Sequence, residues 1–350
     1  MIYFYTRVEN HNIEKLHKYL DYFYRAMFAE ASTTFALDVL IDPDFTDAVE
    51  KYKEQILDKL EKIFNDYFSL EYTEKEIVQQ AYQNNNNIEG ICRGACCPIK
   101  YEELPDGIRD SIKSLYDNLW EPILGYARLV DSCGTVKQHF NDFRIQNPHL
   151  VCPFCGLEGL LCEYDDGRDD YDHYIPKAQY PFNCVNFSNL IPMCHHCNSK
   201  NKGQVDPVFT KDRPPARRIL FYPFENNGSQ TITIRIDAST IDLTGDDWDI
   251  EIDCEPLTIG NKVNAWNEIF RIKKRYQAPI RKTSSLLKGH AIKKFKRWRQ
   301  RPDYTYEAFK EDLLDEIFDI KERKNGIIDK AVYDFFFSQP DFESWLSGQI

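Results

Sequence analysis

In the first 145 residues, apolar side chains recur every three or four positions, the spacing that places them on one face of a helix. The recurring positions are Ile13, Leu16, Leu20, Phe23 and Met27; Val49, Ile56, Leu60, Ile63 and Phe64; and Ile108, Ile112, Leu115, Leu119, Ile123 and Leu124. Four asparagines at residues 84–87 break the pattern, and we expect a loop there. Residues 1–145 are therefore predicted to form a helical N-terminal region.

The pattern changes after residue 210 to short stretches of β-branched and aromatic side chains, which predict strands. These strands are residues 219–222, 232–236 and 248–252, with a turn at residues 226–229. From residue 259 the helical spacing returns, through Leu313, Leu314, Ile317 and Phe318, and again through Val332, Phe335 and Phe336. We predict an α+β fold, mainly helical, with a β-rich segment at residues 211–258 and a helical C-terminal region at residues 259–350.

The chain has 350 residues, enough for two or three units that each bury a core. It contains no run of eighteen apolar residues, so we expect no membrane span, and its start lacks the features of a secretory signal. Eleven cysteines at irregular spacings do not indicate the disulfide framework of a secreted protein. We expect reduced thiols and a cytoplasmic location.

Four of the cysteines form two close pairs, Cys152 with Cys155 and Cys194 with Cys197. Paired C-x-x-C motifs are a strong zinc signal. Four thiolates close a tetrahedral site and leave no open position for catalysis. We therefore predict that these cysteines bind a structural Zn²⁺ ion.

The sequence between and after the pairs predicts a small ββα unit at residues 146–210. Residues 160–173 would form a first strand with its acidic approach, and residues 190–193 a short return strand. Cys194 would open a knuckle that leads into a helix ended by Gly203. A bound zinc ion would tie the two knuckles together, a cross-link that a unit with so little apolar core needs.

This arrangement would place Asp172 and His173, at the end of the first strand, opposite Asn198 on the helix. The matching pattern is Asp172-His173-Tyr174-Ile175-Pro176-Lys177, then Asn189-Leu190, then Cys194-x-x-Cys197-Asn198. In order and spacing it resembles the HNH (ββα-metal) nucleases, in particular their zinc-stapled, stand-alone bacterial members. The resemblance covers roughly residues 150–205.

The resemblance implies a role for each matched residue. His173 would be the general base, Asp172 and Asn198 would hold a divalent ion such as Mg²⁺, and Asn189 would brace the loop that orients the histidine. Phosphodiester hydrolysis needs these chemical types, because an imidazole is a competent base near neutral pH and a metal ion stabilises the developing negative charge. Carboxylate and amide oxygens are hard ligands that suit magnesium.

The sequence departs from the family pattern in one place. Many members have a lysine three residues after the asparagine, where this chain has Asn201 between Lys200 and Lys202. Either lysine could contact phosphate, and Lys177 is a further candidate. We interpret His195 and His196 as exposed or phosphate-facing, because four thiolates already satisfy zinc.

Two other groups of residues invite a metal-binding interpretation that we do not favour. The acidic run Glu163, Asp165, Asp166, Asp169 and Asp170 is interpreted as a solvated loop rather than a second metal site. Cys92, Cys96 and Cys97 are interpreted as ordinary buried or half-buried cysteines rather than a second metal site.

The net charge of −12 is unevenly distributed. Residues 262–301 contain fourteen Lys and Arg against the single acid Glu268, which leaves 44 − 14 = 30 basic and 56 − 1 = 55 acidic residues elsewhere. Such a segment is typical of a solvated face or, beside a nuclease-like motif, of nucleic-acid binding. The candidate contacts are Lys293, Lys294, Lys296, Arg297 and Arg299. Phe295 and Trp298 share a helix face and are predicted to be core.

The sequence thus favours a metal-dependent endonuclease that acts on DNA in preference to RNA, in restriction or anti-phage defence as the resemblance implies. A homodimer or a separate ATPase partner is compatible with that resemblance. The alternative is a zinc-stapled nucleic-acid-binding or adaptor protein without catalysis.

Overall fold

The computed structural model describes residues 1–162, 164–225, 230–316 and 323–350. Within these ranges the protein is mainly helical, with two separate antiparallel sheets of two strands each, which confirms the α+β prediction. None of the described helices is long and apolar enough to cross a membrane. The predicted turn at residues 226–229 and the predicted helical positions Ile317 and Phe318 lie outside the described residues.

The N-terminal region is helical, as its apolar spacing predicts. Its helices are α1 Lys15–Phe28, α2 Leu37–Leu40, α3 Thr46–Lys51, α4 Asp58–Phe68, α5 Tyr72–Asn86, α6 Ile88–Arg93, α7 Asp106–Leu119, α8 Ala127–Cys133 and α9 Val136–Gln146. In α1 the stripe of Leu16, Leu20, Phe23 and Met27 is at most 1% exposed. The α4 and α7 helices pack against each other, so the predicted apolar faces are the packed faces.

The asparagines at residues 84–87 do not form the predicted loop. Helix α5 continues almost to the end of this run, and Asn87 caps α6 by accepting a hydrogen bond from the Gly90 amide at 2.9 Å. Asn85 is fully buried, because its side chain donates to the Ile99 carbonyl and accepts from the Ile99 amide, each at 2.9 Å. Tertiary hydrogen bonds thus satisfy side chains whose polarity alone predicts exposure.

We call residues 146–210 the central unit. It contains two short strands, β1 Tyr171–His173 and β2 Leu190–Pro192, which pair antiparallel. Strand structure is confined to the end of the predicted 160–173 stretch, because the acidic and glycine-containing residues before it form turns. A π-helical segment, His196–Lys202, follows β2 and ends at Gly203, whose φ of 48° lies in the left-handed region. We call this segment the motif helix.

The β-rich segment has two strands rather than three. Strands β3 Thr231–Ala238 and β4 Trp248–Glu255 pair antiparallel and match the second and third predictions. Residues 220–222 are buried and Ile219 is half-buried, but residues 219–222 do not form a strand, and the Leu220 amide donates to the Cys92 carbonyl at 2.8 Å. A short apolar run can be buried against helices as well as within a sheet. The apolar pattern of such a run therefore does not distinguish a strand from a buried segment without strand structure.

The C-terminal region is helical from Gly260. Its helices are α10 Gly260–Phe270, α11 Ile272–Trp298, α12 Tyr306–Asp315, α13 Gly326–Ser338 and α14 Phe342–Ser347. Helix α11 packs against α13 and β4. Phe295 is fully buried and Trp298 is partly buried against the same core, as their shared helix face predicts.

Two hydrophobic cores hold the described residues together. One consists of the N-terminal helices together with Tyr171, Phe182 and Leu190 of the central unit. The other joins the two cysteine pairs to the β3–β4 sheet and the C-terminal helices, and includes Tyr3 and Tyr5. The central unit therefore contributes to both cores.

Replacing Phe182 by alanine should lower stability sharply. The ring is 1% exposed, and its centroid lies 5.6, 5.4 and 5.4 Å from those of Tyr24, Tyr82 and Tyr116. Removing a buried aromatic ring costs about 3–5 kcal/mol, so the urea midpoint should fall. The control Tyr72→Ala, at a residue that is 73% exposed, should change stability by less than about 0.5 kcal/mol. An unchanged midpoint for Phe182→Ala would contradict the shared core.

Candidate functional site

The two cysteine pairs converge on one point. The sulfur atoms of Cys152, Cys155, Cys194 and Cys197 all lie within 4.8 Å of one another, and the four side chains are at most 3% exposed. The sulfurs of Cys155 and Cys194 are 3.8 Å apart, which matches the spacing of about 3.8 Å expected for metal–sulfur bonds of about 2.3 Å in a tetrahedron. These thiols could hold a zinc ion, and no other such group occurs among the described residues.

The first pair lies in a tight backbone turn. The amides of Cys155 and Gly156 donate to the Cys152 carbonyl at 3.2 and 2.8 Å. Gly156 has a φ of 62°, and an added β-carbon there would lie 2.8 Å from the Ile2 side chain. This position therefore requires glycine both for its conformation and for its close approach to a neighbour.

The C-terminal region contacts the cysteine cluster directly. Arg275, near the start of α11, donates from Nη1 to the Cys197 sulfur at 3.1 Å. Tyr276 and Trp266 donate to backbone carbonyls in the turn of the first pair, each at 2.8 Å. Four thiolates around zinc carry net negative charge, which a guanidinium offsets. Sequence reasoning missed this role, because Arg275 is one cation among many and its partner lies 78 residues earlier.

Asp172 forms a buried ion pair with the motif helix. The Lys202 ammonium lies 3.1 and 3.0 Å from its two carboxylate oxygens and donates to the His173 carbonyl at 2.8 Å. Asp172 is 5% exposed and Lys202 1%. Oδ1 of Asp172 accepts a hydrogen bond from the lysine, whereas Oδ2 accepts none. Burial raises the pKa of Asp172, and the nearby ammonium offsets part of that rise.

The π-helical geometry explains which lysine reaches the site. The Gly203 amide donates to the Asn198 carbonyl at 2.6 Å, five residues back instead of four. Such a turn holds one more residue than an α-helical turn. In this chain the lysine that faces β1 is therefore four positions after Asn198. In the family pattern that the motif resembles, a lysine lies three positions after the asparagine. Lys200 is exposed, and the Asn201 side chain donates to the His196 carbonyl at 2.5 Å.

His173 is held in one orientation. Its Nε2 lies 2.8 Å from the Cys184 carbonyl oxygen, which can only accept, so Nε2 carries the hydrogen and Nδ1 the lone pair. Trp120 packs against the imidazole with a centroid distance of 5.4 Å at 83°. Burial lowers the pKa of His173 to about 3. Nδ1 makes no hydrogen bond among the described residues, and the His173 residue as a whole is half-buried.

Asn189 ties together the loop that follows β1. Its side chain accepts from the Ile175 amide at 2.7 Å and donates to the Ile175 carbonyl at 2.9 Å and to the Asn183 side chain at 3.0 Å. It is fully buried. The loop that it fixes carries Cys184, so Asn189 acts on His173 through the carbonyl that orients the imidazole.

Asn198 lies on the motif helix, one turn before Lys202. Its amide donates to the Cys194 carbonyl at 3.0 Å, so the cysteine cluster fixes its backbone. Its side chain is half-buried and has no hydrogen-bond partner within the described chain. No hydrogen bond joins Asn198 to Asp172 or His173 there; the Lys202 ion pair is the contact that brings this helix to β1.

The other charged side chains of the central unit differ in exposure. Lys177 is half-buried, while His195 and His196 are both exposed, as their position beside a complete set of thiols predicts. His196 lies 3.7 Å from the Glu158 carboxylate. These residues surround the motif without touching Asp172 or His173.

Four predicted nucleic-acid contacts in the basic segment are exposed and make no ion pair within the described ranges. They are Lys293, Lys296, Arg297 and Arg299. Lys294 is different, because its ammonium lies 2.7 Å from Asp312 and 2.5 Å from Glu316. The charge of Lys294 is therefore neutralised inside the protein.

The acidic run forms a loop in which carboxylates accept backbone hydrogen bonds. Asp165 and Asp169 accept from the amides of Cys162 and Leu161, each at 2.7 Å. Asp165, Asp166 and Asp170 are exposed, and Glu163 lies outside the described residues. Among the cysteines earlier in the chain, Cys92 is buried, Cys96 half-buried and Cys97 exposed, and they form no metal-holding group in the described structure.

Comparisons with known proteins give one short similarity. No family model matches the chain, and no solved structure matches it. The chain is similar to protein ea31 of Escherichia phage lambda, with 32% identity over 114 residues. The matched part is 32% of this chain and 33% of the phage protein, so the similarity spans about a third of that relative's length.

We predict that the purified protein contains one zinc ion per chain and that Arg275 slows its loss. Arg275→Gln removes the positive charge 3.1 Å from the Cys197 sulfur. Loss of a residue that hydrogen-bonds to a metal ligand weakens metal binding by roughly 10–100-fold. A colorimetric chelator should therefore extract zinc faster from the Arg275→Gln variant than from the parent protein. Lys274→Gln, the same charge change at an exposed neighbour, is the control. Equal extraction from both variants would contradict the role of Arg275.

A buried histidine beside β1 should make stability depend on pH. His139 is 4% exposed, its Nδ1 lies 2.5 Å from the Tyr171 hydroxyl, and burial lowers its pKa to about 3. Histidine in an unfolded chain titrates near pH 6.5. As the pH falls below that value, the unfolded state gains a proton that the folded state does not. Stability should therefore fall by up to about 1.4 kcal/mol per pH unit.

The measurement is the urea midpoint between pH 6.5 and 4.5. His139→Gln should flatten this dependence relative to the parent protein, since the substituted residue does not titrate. His195→Gln, at an exposed histidine, should leave the dependence unchanged. Identical slopes for the parent and His139→Gln would show that His139 is protonated in the folded protein.

Proposed function

We propose that the protein is a metal-dependent endonuclease of the HNH type, which hydrolyses phosphodiester bonds. The observation that carries the proposal is the placement of His173. Strand β1 presents it next to Asp172, the Cys184 carbonyl sets its tautomer, and the strand is joined to the helix that bears Asn198. A neutral base, a carboxylate and an amide thus occur together in one small, cross-linked unit.

His173 is the general base in this proposal. Its Nε2 donates to the Cys184 carbonyl, so only the Nδ1 lone pair can take a proton from an attacking water. The lowered pKa keeps the imidazole neutral at physiological pH. It also makes the imidazole a weaker base than usual, so the attack depends on electrostatic stabilisation of the phosphate.

Two oxygen donors of the central unit, from Asp172 and Asn198, are of the chemical type that suits a hard divalent ion such as Mg²⁺. Asp172 Oδ2 accepts no hydrogen bond, although it lies 3.0 Å from the Lys202 ammonium, and the Asn198 side-chain amide makes no hydrogen bond among the described residues. Carboxylate and amide oxygens are ligands that magnesium prefers. When bound, the ion would stabilise the negative charge that develops on the phosphate oxygens.

Lys202 holds Asp172 in place and neutralises it. The ammonium lies within 3.1 Å of both carboxylate oxygens, so the pair has no net charge to attract a cation from solution. We therefore infer weak affinity for the divalent ion until a phosphate adds negative charge to the site. Because removing one partner of a buried pair costs about 3–5 kcal/mol, substitutions of Asp172 or Lys202 do not separate folding from activity.

The zinc ion has a structural role in the proposal. Four thiolates fill a tetrahedral coordination sphere and leave no position for water or substrate. The cluster holds the turn before β1 and the motif helix together, which aligns the strand residues with Asn198. Zinc removal should therefore abolish activity by unfolding the unit.

The proposed substrate is nucleic acid, with DNA preferred to RNA. One active site cuts one strand, so a single chain would nick and a homodimer would be needed for a double-strand break. A setting in restriction or anti-phage defence, with a separate ATPase as a partner, rests on the resemblance alone. The exposed basic residues of α11 are the candidate binding surface.

A second candidate is a zinc-stapled nucleic-acid-binding or adaptor protein without catalysis. The buried Asp172–Lys202 pair favours it, because the lysine neutralises the carboxylate without any metal ion. The oriented imidazole favours catalysis, because its Nδ1 lone pair makes no hydrogen bond among the described residues and could accept a proton. His173 therefore distinguishes the two functions.

His173→Ala should abolish magnesium-dependent cleavage while the protein stays folded with zinc bound. Loss of a general base lowers the rate by about 10²–10⁴-fold. The assay is single-turnover cleavage of plasmid, linear duplex, single-stranded DNA and RNA, with and without magnesium. His196→Ala is the matched control, since His196 is an exposed histidine on the same unit.

Zinc content and the urea midpoint of each variant establish that the loss is chemical. Cleavage by His173→Ala at the parental rate would remove His173 from the role of base. No cleavage by the parent protein on any substrate, combined with tight nucleic-acid binding, would favour the adaptor.

A further inference from the structure

The basic segment divides into cations that stabilise the fold and cations that are free. Residues 271–301 contain thirteen Lys and Arg and no Asp or Glu. Four of them are engaged internally: Arg275 with the cysteine cluster, Arg281 with Asp246, Lys288 with Asp242, and Lys294 with Asp312 and Glu316. The other 13 − 4 = 9 make no ion pair within the described ranges.

Five of these nine cations are exposed on α11 itself and lie on the side of the helix that faces solvent. The buried face of the helix consists of Tyr276, Ile280, Ser284, Leu287, Ala291 and Phe295, at steps of three and four residues. Lys274, Lys282 and Lys293 are all exposed, about two and three turns apart, so they project from the opposite side. We call the exposed residues Lys274, Lys282, Lys293, Lys296 and Arg297 the α11 stripe.

The length of the α11 stripe corresponds to that of a turn of duplex. From Lys274 to Arg297 an α-helix rises about 35 Å, and one turn of B-DNA is about 34–36 Å long. Phosphates of a duplex repeat along its length, so a helix of 27 residues with cations near its start, middle and end can meet the backbone at several points. A single bound phosphate or nucleotide would need no such length.

The α11 stripe begins next to the candidate active site. Arg275 binds the Cys197 sulfur, and Cys197 precedes Asn198 directly. A groove at the same end of the helix is lined by Asn201 of the motif helix together with Arg218, Glu268 and Arg271. A nucleic acid bound along α11 would therefore lead to the motif helix.

The aromatic residues of α11 argue against single strands as the preferred ligand. Proteins that bind single strands stack bases on exposed rings. Here Tyr276 and Phe295 are fully buried, and the Trp298 ring is covered by the Arg301 guanidinium at 4.1 Å and donates to Asp312. The stripe offers charge without a stacking platform.

A membrane surface fits the α11 stripe less well than nucleic acid does. A helix that binds lipid inserts an apolar face into the bilayer. The apolar face of α11 is instead packed against α13 and β4, and Leu286 is the large apolar residue left on the exposed side. Its ligand must therefore be recognised by charge alone.

We propose that the α11 stripe binds the phosphate backbone of double-stranded DNA without reading its sequence, and that it leads the duplex to the site at His173. The proposal rests on the proposed nuclease function for the direction of the duplex, but the binding itself does not need catalysis. Backbone contacts by lysine and arginine release counterions, so the affinity must fall steeply with salt concentration.

The test compares two triple variants with the same change in net charge. Lys282→Ala/Lys293→Ala/Lys296→Ala removes three cations of the α11 stripe. Lys18→Ala/Lys51→Ala/Lys53→Ala removes three exposed lysines of the N-terminal region, none of which makes an ion pair among the described residues. Binding to a 40-base-pair duplex is followed by fluorescence anisotropy in magnesium-free buffer at several salt concentrations, on protein with verified zinc content.

The stripe variant should bind on the order of 10²-fold more weakly at 0.1 M salt, and its slope of log K against log salt should be shallower by about 2.7, or 0.9 for each lost contact. The N-terminal variant should bind like the parent protein. Equal binding by both variants would overturn the proposal. The proposal would also be overturned if the parent protein bound single-stranded DNA more tightly than duplex, or phosphatidylserine vesicles more tightly than duplex.

These outcomes are independent of the proposed function. Salt-dependent binding through the stripe, together with no cleavage by the parent protein, would refute the nuclease and support the binding surface. Cleavage by the parent protein, together with unchanged duplex binding by the stripe variant, would support the nuclease and refute the binding surface.

Discussion

The central unit depends on the convergence of four thiols that come from two distant turns. Its strands β1 and β2 have three residues each, far fewer than an independent sheet needs. The cysteine cluster fixes both ends of this unit, and Arg275, Tyr276 and Trp266 attach it to the C-terminal helices. The orientation of β1 toward the motif helix is therefore set by the convergence of these cysteines, which could hold a zinc ion, and by long-range hydrogen bonds rather than by the strands themselves.

The N-terminal helices complete the surroundings of His173. Trp120, at the end of α7, packs on the imidazole, and Cys184, whose side chain is buried in the N-terminal core, supplies the carbonyl that fixes the tautomer. The same core holds Phe182, two residues before Cys184. Packing among N-terminal aromatic residues is thus coupled to the orientation of the His173 side chain, so the helical region contributes to the structure that surrounds this histidine.

The sequence predicted the features that depend on local patterns. Apolar spacing identified the helices around Leu16 and Leu115, and cysteine spacing identified the four thiols that converge. The prediction was wrong where tertiary contacts determine the structure. An example is Asn85, which was expected in a loop but is buried with hydrogen bonds to Ile99. The sequence also could not separate Arg275, which contacts a thiol, from free cations on the same helix, because that difference depends on a partner brought close only by folding. The roles of His173 and Asn198 remain predictions from the resemblance.

The π-helical turn of the motif helix has a consequence for comparing this chain with its relatives. A turn that closes over five residues absorbs one inserted residue locally and leaves the flanking chain where it was. Lys202, which pairs with Asp172 of β1, would then correspond to the lysine one position earlier in the nucleases that the motif resembles. An alignment without a gap would pair that residue with Asn201 and suggest that a basic residue has been lost. Structural equivalence here follows the turn and not the residue count.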